Sequence, residues 1–120
     1  MKRTALLLFA LLVATPAKAE SVMIKRTIDG DTVVTTTGER VRLACIDAPE
    51  RGSKGAAAAT RSLREQVEGR RTGVRRITRD RYGRTVGELF PNGQNVGEEL
   101  VNSGHAWIYK RYSYQCPWAR

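Results

Sequence analysis

The sequence IDGDTVVTTTGERVRLACIDAPE, residues 28–50, contains two segments rich in Val, Ile and Thr that are separated by turns. These residue types favour strands, and we predict strands over residues 32–36 and 40–46, divided by a Thr-Thr-Gly-Glu turn. An Asp-Gly-Asp turn precedes them and follows a first predicted strand at residues 21–26. Pro49 ends the third strand. This half of the chain is therefore predicted to be a β-meander.

After residue 50 the apolar residues change to a helical spacing. In residues 56–68, Ala59, Leu63 and Val67 recur every four positions and form one apolar face, while Arg and Glu occupy the other. This pattern predicts an amphipathic helix inserted after the third strand.

The remainder of the chain predicts two strands and a short helix. The strands cover residues 74–78 and 85–90 and are joined by a turn at residues 80–83. Asn95 is placed to cap a second helix that ends before Gly104. Five strands and two helices predict an α+β domain, and a five-stranded β-barrel of the OB-fold type is the economical way to close it.

The first 19 residues have the features of a secretory signal. Lys2 and Arg3 precede ten apolar residues at positions 5–14, and small residues follow before position 20. Ten residues are too few to span a bilayer, which takes about 20. We expect a signal peptide at residues 1–19, a mature domain at residues 20–120, a secreted or periplasmic location and no stable membrane association.

The chain is basic, with 21 Lys and Arg against 12 Asp and Glu. Residues 20–120 retain all the acids and 18 of the bases, of which 15 are Arg. Because the planar guanidinium binds phosphate bidentately, this composition favours nucleic acid as the partner. A basic face that serves only solubility is the alternative. No feature indicates a protein partner, and we expect a monomer.

Cys45 and Cys116 are the only two cysteines. In an exported chain they are expected to form a disulfide. With the single His105 they lack the spacing of zinc ligands, and His105 is not expected to be catalytic.

Four carboxylates lie at the ends of predicted strands: Asp29, Asp31, Asp47 and Glu50. Strand ends in a meander return to one edge, so these acids can converge, and a divalent cation would remove their mutual repulsion. Carboxylate and carbonyl oxygens suit a hard ion, Ca²⁺ or Mg²⁺. An EF-hand is excluded, because Val33 and Arg40 stand where that loop needs oxygen ligands. For the Asp-Gly-Asp segment, plain turn chemistry is the alternative.

Arginines near these acids are candidate phosphate ligands. Arg42 lies within the apolar run VRLACI, where a buried charge needs a partner. It is either a structural ion pair with a nearby acid or a guanidinium directed at phosphate. Seven arginines fall in residues 70–84, most of them expected on a solvated or nucleic-acid-facing surface. Arg84 closes the turn at residues 80–83, where a fixed backbone would hold it.

Together, these motifs resemble the thermonuclease or staphylococcal nuclease-like family. The matching segments are IDGDT, VRL, IDAPE and DRYGR, at residues 28–32, 41–43, 46–50 and 80–84, followed by Asn-Gly at 92–93 and the second helix. The resemblance implies an OB-fold, Ca²⁺-dependent phosphodiesterase that cuts DNA and RNA and leaves 3′-phosphates. A non-catalytic OB-fold module that binds nucleic acid is the alternative function.

The resemblance also implies roles for individual residues. The implied metal ligands are the carboxylates of Asp31 and Asp47 and the carbonyl of Ala48, with Asp29 behind them. Glu50 is the implied general base. The implied phosphate ligands are Arg42 and Arg84, and the residues implied to bind the nucleotide are Tyr82 and Arg81.

The sequence departs from the family at three points. Ala48 replaces the more usual Thr. A further nucleotide-binding tyrosine is expected after the second helix, and both Tyr109 and Tyr112 are candidates. Relatives commonly continue into a C-terminal helix packed on the barrel, and we expect it to be missing here.

Overall fold

The computed structural model of the protein describes residues 4–5 and 20–120, so the predicted signal peptide lies almost entirely outside the described residues. Seven strands are formed: β1 (Ser21–Asp29), β2 (Thr32–Thr35), β3 (Arg40–Leu43), β4 (Ile46–Asp47), β5 (Arg71–Arg79), β6 (Thr85–Phe90) and β7 (Trp107–Ile108). Two α-helices are formed, α1 (Ala56–Val67) and α2 (Val96–Asn102). Short 3₁₀ helices cover Pro91–Gly93, Lys110–Gln115 and Pro117–Ala119.

Five of the strands close into a barrel in the order β1-β2-β3-β6-β5. All neighbouring pairs are antiparallel except β3 and β6, which run parallel with Val41 beside Thr85. The closure is made by β1 and β5, where Ser21 pairs with Gly73. The predicted α+β, five-stranded barrel of the OB type with an inserted helix is thus confirmed.

The prediction of one strand over residues 40–46 was wrong. β3 ends at Leu43, and Cys45 adopts a left-handed backbone with φ of 69°, which a continuous strand does not accommodate. The residues beyond it form β4, which pairs with β7 in a separate two-stranded sheet. The interruption therefore directs Asp47 away from the barrel sheet.

The core lies between the barrel and the two helices. The apolar face predicted for α1 is buried, with Ala59, Leu63 and Val67 showing no exposed surface. The core residues from the barrel and α2 are Ile24, Val33, Val41, Leu43, Val74, Leu89, Val96 and Leu100. Because α1 packs on the barrel through these contacts, it fixes the loop that precedes it.

Glu88 is a buried carboxylate that joins four parts of the fold. It accepts hydrogen bonds from Arg75 Nε at 2.8 Å, from Trp118 Nε1 at 2.8 Å and from the side-chain amide of Asn95. Asn95 is also the predicted N-cap of α2, and its side-chain oxygen Oδ1 accepts hydrogen bonds from the backbone N–H groups of Gly97 and Glu98. One acid thus connects β5, β6, α2 and the C-terminal segment.

Cys45 and Cys116 form a disulfide with a Cα–Cα distance of 6.3 Å. Both are buried in a small apolar cluster with Ala44 and Ala119. After β7 the described residues form two short 3₁₀ helices, Lys110–Gln115 and Pro117–Ala119. None of the described helices has the length and apolarity needed to cross a bilayer.

Removing the disulfide should destabilise the domain strongly. The two cysteines are 71 positions apart, and closing a loop of that length contributes roughly 4 kcal/mol in the chain-entropy model. We expect the Cys45→Ser/Cys116→Ser variant to lose a large part of that amount in urea unfolding. Reduced wild type should match the variant. An unchanged unfolding midpoint in both would show that the link does not contribute to stability.

Candidate active site

Arg42 lies between two carboxylates at the edge of the barrel. Its Nη2 is 3.5 Å from Asp31 Oδ2 and 3.2 Å from Asp47 Oδ1. Its Nη1 donates to the carbonyl oxygens of Leu43 at 2.6 Å and Ile46 at 3.0 Å. With 15% of its side chain exposed, this guanidinium is largely desolvated, and both of its terminal nitrogens have partners. Of the two interpretations from sequence, the ion pair is formed, and it involves both acids.

Asp31 is the most enclosed of the candidate acids. Its Oδ1 accepts from the Thr32 hydroxyl at 3.1 Å, and its Oδ2 accepts from the Ala48 backbone N–H at 3.1 Å. Asp29 Oδ1 accepts from the Asp31 backbone N–H at 3.0 Å, so Asp29 lies directly beside it. Burial raises the pKa of Asp31 to about 6. The Arg42 guanidinium opposes this rise in pKa, and the Asp29 carboxylate adds to it. A second cation near Asp31 would favour its ionised form.

Gly30 allows the Asp29–Asp31 turn to pack against the rest of the site. A Cβ at this position would lie 2.7 Å from the Ala48 Cβ and 2.9 Å from the Ala59 Cβ, closer than carbon atoms approach. The glycine is therefore required by close contact with α1 and with residue 48. Sequence reasoning had identified it only as a turn residue.

Asp31 and Asp47 are the pair of carboxylates that a single metal ion could join. Asp31 and Asp47 contact the same Arg42 nitrogen, so their nearer oxygens are less than about 7 Å apart. Oxygens that share one Ca²⁺, each at about 2.3–2.6 Å, lie within about 5 Å of each other. The Asp47 side chain is 40% exposed and can rotate to make up the difference. Within residues 4–5 and 20–120, no cluster of three His, Cys, Asp or Glu side chains is preformed. The donor set therefore fits a hard ion with two carboxylates, completed by carbonyl oxygen and water.

Glu50 is not drawn into this cluster. It is exposed, and its backbone carbonyl accepts from the N–H and the hydroxyl of Ser53. Within the described part of the chain its carboxylate forms no hydrogen bond and no ion pair. The structure thus leaves the predicted general base in solvent, three residues beyond Asp47.

Asp80 orients the second candidate arginine. Its Oδ1 accepts from the backbone N–H groups of Tyr82 and Arg84, both at 3.0 Å, and its Oδ2 accepts from Arg84 Nε at 2.7 Å. Burial acts to raise the pKa of Asp80, but these hydrogen bonds outweigh it and leave the pKa below its usual value. Sequence reasoning gave Asp80 no role. The sequence did contain a signal for this role, because an Asp at the first position of a turn commonly accepts hydrogen bonds from backbone N–H groups later in the turn.

Tyr82 lies on the same turn, and two arginine guanidinium groups lie over its ring. The guanidinium carbons of Arg81 and Arg84 lie 5.0 Å and 5.5 Å from its centroid, and Arg81 Nη2 donates to its hydroxyl at 2.8 Å. The ring is 58% exposed. Arg40 Nη2 donates to the Tyr82 carbonyl at 2.6 Å and ties the turn to β3, a contact that no sequence pattern indicated.

One cleft of about 580 Å³ brings most of these groups together. It is lined by Arg42 and Arg84, by Arg81 and Tyr82, and by residues of the C-terminal segment. Both candidate tyrosines, Tyr109 and Tyr112, line it, with ring centroids 5.1 Å apart. Asp31 and Asp47 pair with Arg42 but, like Asp29 and Glu50, do not line the cleft. The cleft combines cationic and aromatic groups in the way that nucleotide sites do.

Gly30→Ala should destabilise the protein by about 1–3 kcal/mol, the usual cost of overpacking a tight contact. The added methyl group would meet Ala48 and Ala59 and displace the Asp29–Asp31 turn. Urea unfolding measures this loss. The Gly30→Ala/Ala48→Gly variant removes the nearer methyl and should recover part of it. A single variant as stable as wild type would show that the turn is not held by this contact.

Comparison with known proteins places the chain in a family. The sequence model of the family described as "Staphylococcal nuclease homologue" matches residues 40–117. A protein of Escherichia coli O157:H7 named "Uncharacterized endonuclease" is 36% identical over 94 residues, which cover 75% of this chain and 61% of that protein. A protein of the same name from Haemophilus influenzae is 34% identical over 113 residues, covering 91% of this chain and 64% of that protein.

A further relative is the "Micrococcal nuclease" of Shigella flexneri, 36% identical over 115 residues, which cover 85% of this chain and 66% of that protein. The chain thus spans under two thirds of the length of the two endonuclease-named relatives. The match extends from β3 through the DRYGR turn to the C-terminal segment, over more than half of the chain. This chain belongs to the staphylococcal nuclease-like family.

Proposed function

We propose that this protein is an exported Ca²⁺-dependent phosphodiesterase that hydrolyses DNA and RNA to 3′-phosphate products. The observation that carries the proposal is the placement of Arg42 and Arg84 in one cleft, with the Asp31 and Asp47 carboxylates paired to Arg42. The names of the endonuclease and micrococcal nuclease relatives support the same activity. Export is proposed from the signal-like residues 1–19.

The two arginines would stabilise the transition state. Attack of water on a phosphodiester increases the negative charge on the phosphoryl oxygens, so cations that are already in place bind the transition state more tightly than the substrate. Asp80 holds Arg84, and Asp31 and Asp47 hold Arg42, so neither guanidinium has to be ordered during the reaction. Each retains N–H groups that can bind a phosphate oxygen.

The metal ligands proposed are Asp31, Asp47 and the carbonyl of Ala48, and bound Ca²⁺ would supply positive charge and lower the pKa of water. The raised pKa of Asp31 supports this assignment, because burial beside Asp29 leaves its ionised form short of positive charge. The Asp47 side chain is 40% exposed and, among the described residues, hydrogen-bonds only to Arg42, so it can turn toward a cation.

Glu50 is proposed as the base that removes the proton from the attacking water. Its exposed carboxylate follows Pro49 at the end of the strand segment that carries Asp47, and it makes no ion pair with any described residue. An unengaged carboxylate retains its lone pairs for the water.

A non-catalytic module that binds nucleic acid is the second candidate function. The observation that favours it is the state of the acids: Arg42 is already paired with Asp31 and Asp47, and Glu50 stands apart from them. In a binding module the same arginines and tyrosines would grip the strand without cleaving it.

Dependence on Ca²⁺ separates the two functions. Purified protein should degrade single-stranded DNA and RNA in the presence of Ca²⁺ and should stop when a chelator is added, because the phosphate would lose its main counter-charge. Product size on denaturing gels measures cleavage, and excess Ca²⁺ after chelation is the control. Cleavage that continues in chelator contradicts the metal mechanism, and binding without any cleavage supports the module.

Glu50→Gln should bind labelled oligonucleotide as well as wild type but cleave it about 10²–10⁴-fold more slowly, as expected for loss of a general base. Glu65→Gln is the matched control, because Glu65 is exposed on α1 and forms no ion pair among the described residues. Initial rates and fluorescence anisotropy measure the two effects. A Glu50→Gln rate equal to that of the control removes Glu50 from the mechanism.

A further inference from the structure

A second concavity, of about 360 Å³, lies where α1 meets the Asp29 turn and the residues around Pro49. Three arginines line it, and we call them the arginine patch: Arg51, Arg61 and Arg64. This concavity and the cleft described above have no lining residue in common. The function proposed above gives the arginine patch no part.

The proposed metal site lies between the two concavities. Arg42, in the cleft wall, is 3.5 Å from Asp31, and the backbone N–H of Asp31 donates to the Asp29 carboxylate at 3.0 Å. Asp29 in turn lines the second concavity, as do both chain neighbours of Glu50. The contacts therefore lead from the cleft, through the proposed metal site, to the arginine patch.

The arginine patch carries more positive charge than the nearby acids offset. Among residues 20–120, Arg51 and Arg61 form no ion pair. Arg64 lies 3.6 Å from Glu68, and Asp29 is the acid that lines the concavity. Like charges that face one space repel each other, and an anion bound between them removes the repulsion.

The patch arginines retain N–H groups for such an anion. Arg51 Nη2 donates to the Ile28 carbonyl at 3.1 Å, which orients the guanidinium without neutralising it and leaves its other N–H groups available. Arg61 and Arg64 are three positions apart on α1 and so lie on one face of the helix. Small residues also line the concavity and leave room for a close approach: Gly52, Ala56 and Ala57.

The chemistry of the lining indicates phosphate rather than a base. Guanidinium groups bind phosphate through two parallel N–H donors. In the part of the chain that the structure describes, no aromatic side chain lines the concavity, so it offers no ring on which a base could stack. Contacts to phosphate carry no sequence information. We therefore expect binding that does not depend on base sequence.

We propose that the arginine patch is a second phosphate-binding site, which holds the nucleic acid strand where it continues past the proposed metal site. Arg51 and Arg61 each bind a backbone phosphate, and Arg64 lies beside them with its charge partly offset by Glu68. The ligand is a single strand of DNA or RNA of any sequence. The proposal rests on the proposed function for the position of the scissile phosphate, but binding at the patch does not require cleavage.

The salt dependence of binding tests this site. The probe is a labelled oligothymidylate of about 16 nucleotides, the upper end of the site sizes of one OB fold, and its Kd is measured by fluorescence anisotropy in chelator. In Arg51→Ala and in Arg61→Ala, the plot of log affinity against log salt should become shallower by about 0.7, the value for one phosphate contact with a single strand. At about 0.05 M salt each Kd should rise about 5- to 10-fold.

Arg70→Ala is the matched control. Arg70 is exposed, follows the other end of α1 and lines neither concavity, so its loss removes the same charge without removing a patch contact. Its salt dependence should stay close to that of wild type. Patch variants whose slopes match that of Arg70→Ala would overturn the site.

A labelled dinucleotide separates the patch from the cleft. It has one internucleotide phosphate, which cannot lie in both concavities, and the cleft adds aromatic rings that the patch lacks. Its Kd should therefore change less than about 2-fold in Arg51→Ala and Arg61→Ala, because no patch contact is lost. Equal losses of affinity for the dinucleotide and the longer strand would show that the substitutions disturb the cleft, and would overturn the site.

Arg61 is the more decisive position, because among the described residues its side chain forms no hydrogen bond and no ion pair whose loss could disturb the fold. Arg61→Lys keeps the charge and should restore the wild-type salt dependence, since an ammonium group also neutralises a phosphate. An Arg61→Lys slope as shallow as that of Arg61→Ala would contradict the proposal.

The two proposals fail in different ways. If the protein cleaves no nucleic acid but the patch variants still lower the salt dependence for the longer strand, the second site stands and the hydrolase proposal falls. If wild type cleaves in Ca²⁺ and the patch variants bind the longer strand as Arg70→Ala does, the second site is wrong and the hydrolase proposal stands.

Discussion

The arrangement of this protein depends on a single desolvated guanidinium. A charge that is largely removed from water must be matched by partners or it destabilises the fold. Arg42 meets this requirement with two carboxylates and two carbonyl oxygens, which belong to the turn after β1, the end of β3 and β4. Satisfying one cation therefore sets the positions of three chain segments. The same segments carry every group that we propose as a metal ligand.

Four of the arginines that line the cleft fall into two kinds. Arg42 and Arg84 are anchored by acids, which fix their direction and reduce their net charge. Arg81 and Arg111 lie on tyrosine rings and have no acid within ion-pair distance in the described chain. Anchored cations suit a reacting phosphate, where placement matters most, and unanchored ones suit the longer strand, where a tolerant grip is sufficient. In the hydrolase proposed above, the anchored arginines would serve the reacting phosphate and the unanchored ones the rest of the strand.

A domain of this size has little core to hold a C-terminal segment that is mostly exposed. Two links hold this segment against the rest of the domain. Glu88 accepts from Arg75, Asn95 and Trp118, and the disulfide joins the segment to the residue two positions after β3. Small domains commonly add such links where hydrophobic burial is limited. These links also hold in place the residues of the C-terminal segment that line the cleft.

Residue type, apolar spacing and short motifs are local properties of the chain, and they were enough to predict the five barrel strands, the two helices and the family resemblance. The apolar run around Arg42 also marked it as a charge in need of a partner. Other features became visible only in the folded chain: the parallel pairing of β3 with β6, the left-handed turn at Cys45, the hydrogen bonds of Asp80 and the entry of Tyr112 into the cleft. It also left Glu50 apart from the other acids. These features depend on contacts between residues far apart in the chain, or on the direction of individual side chains, and neither is encoded in a local pattern.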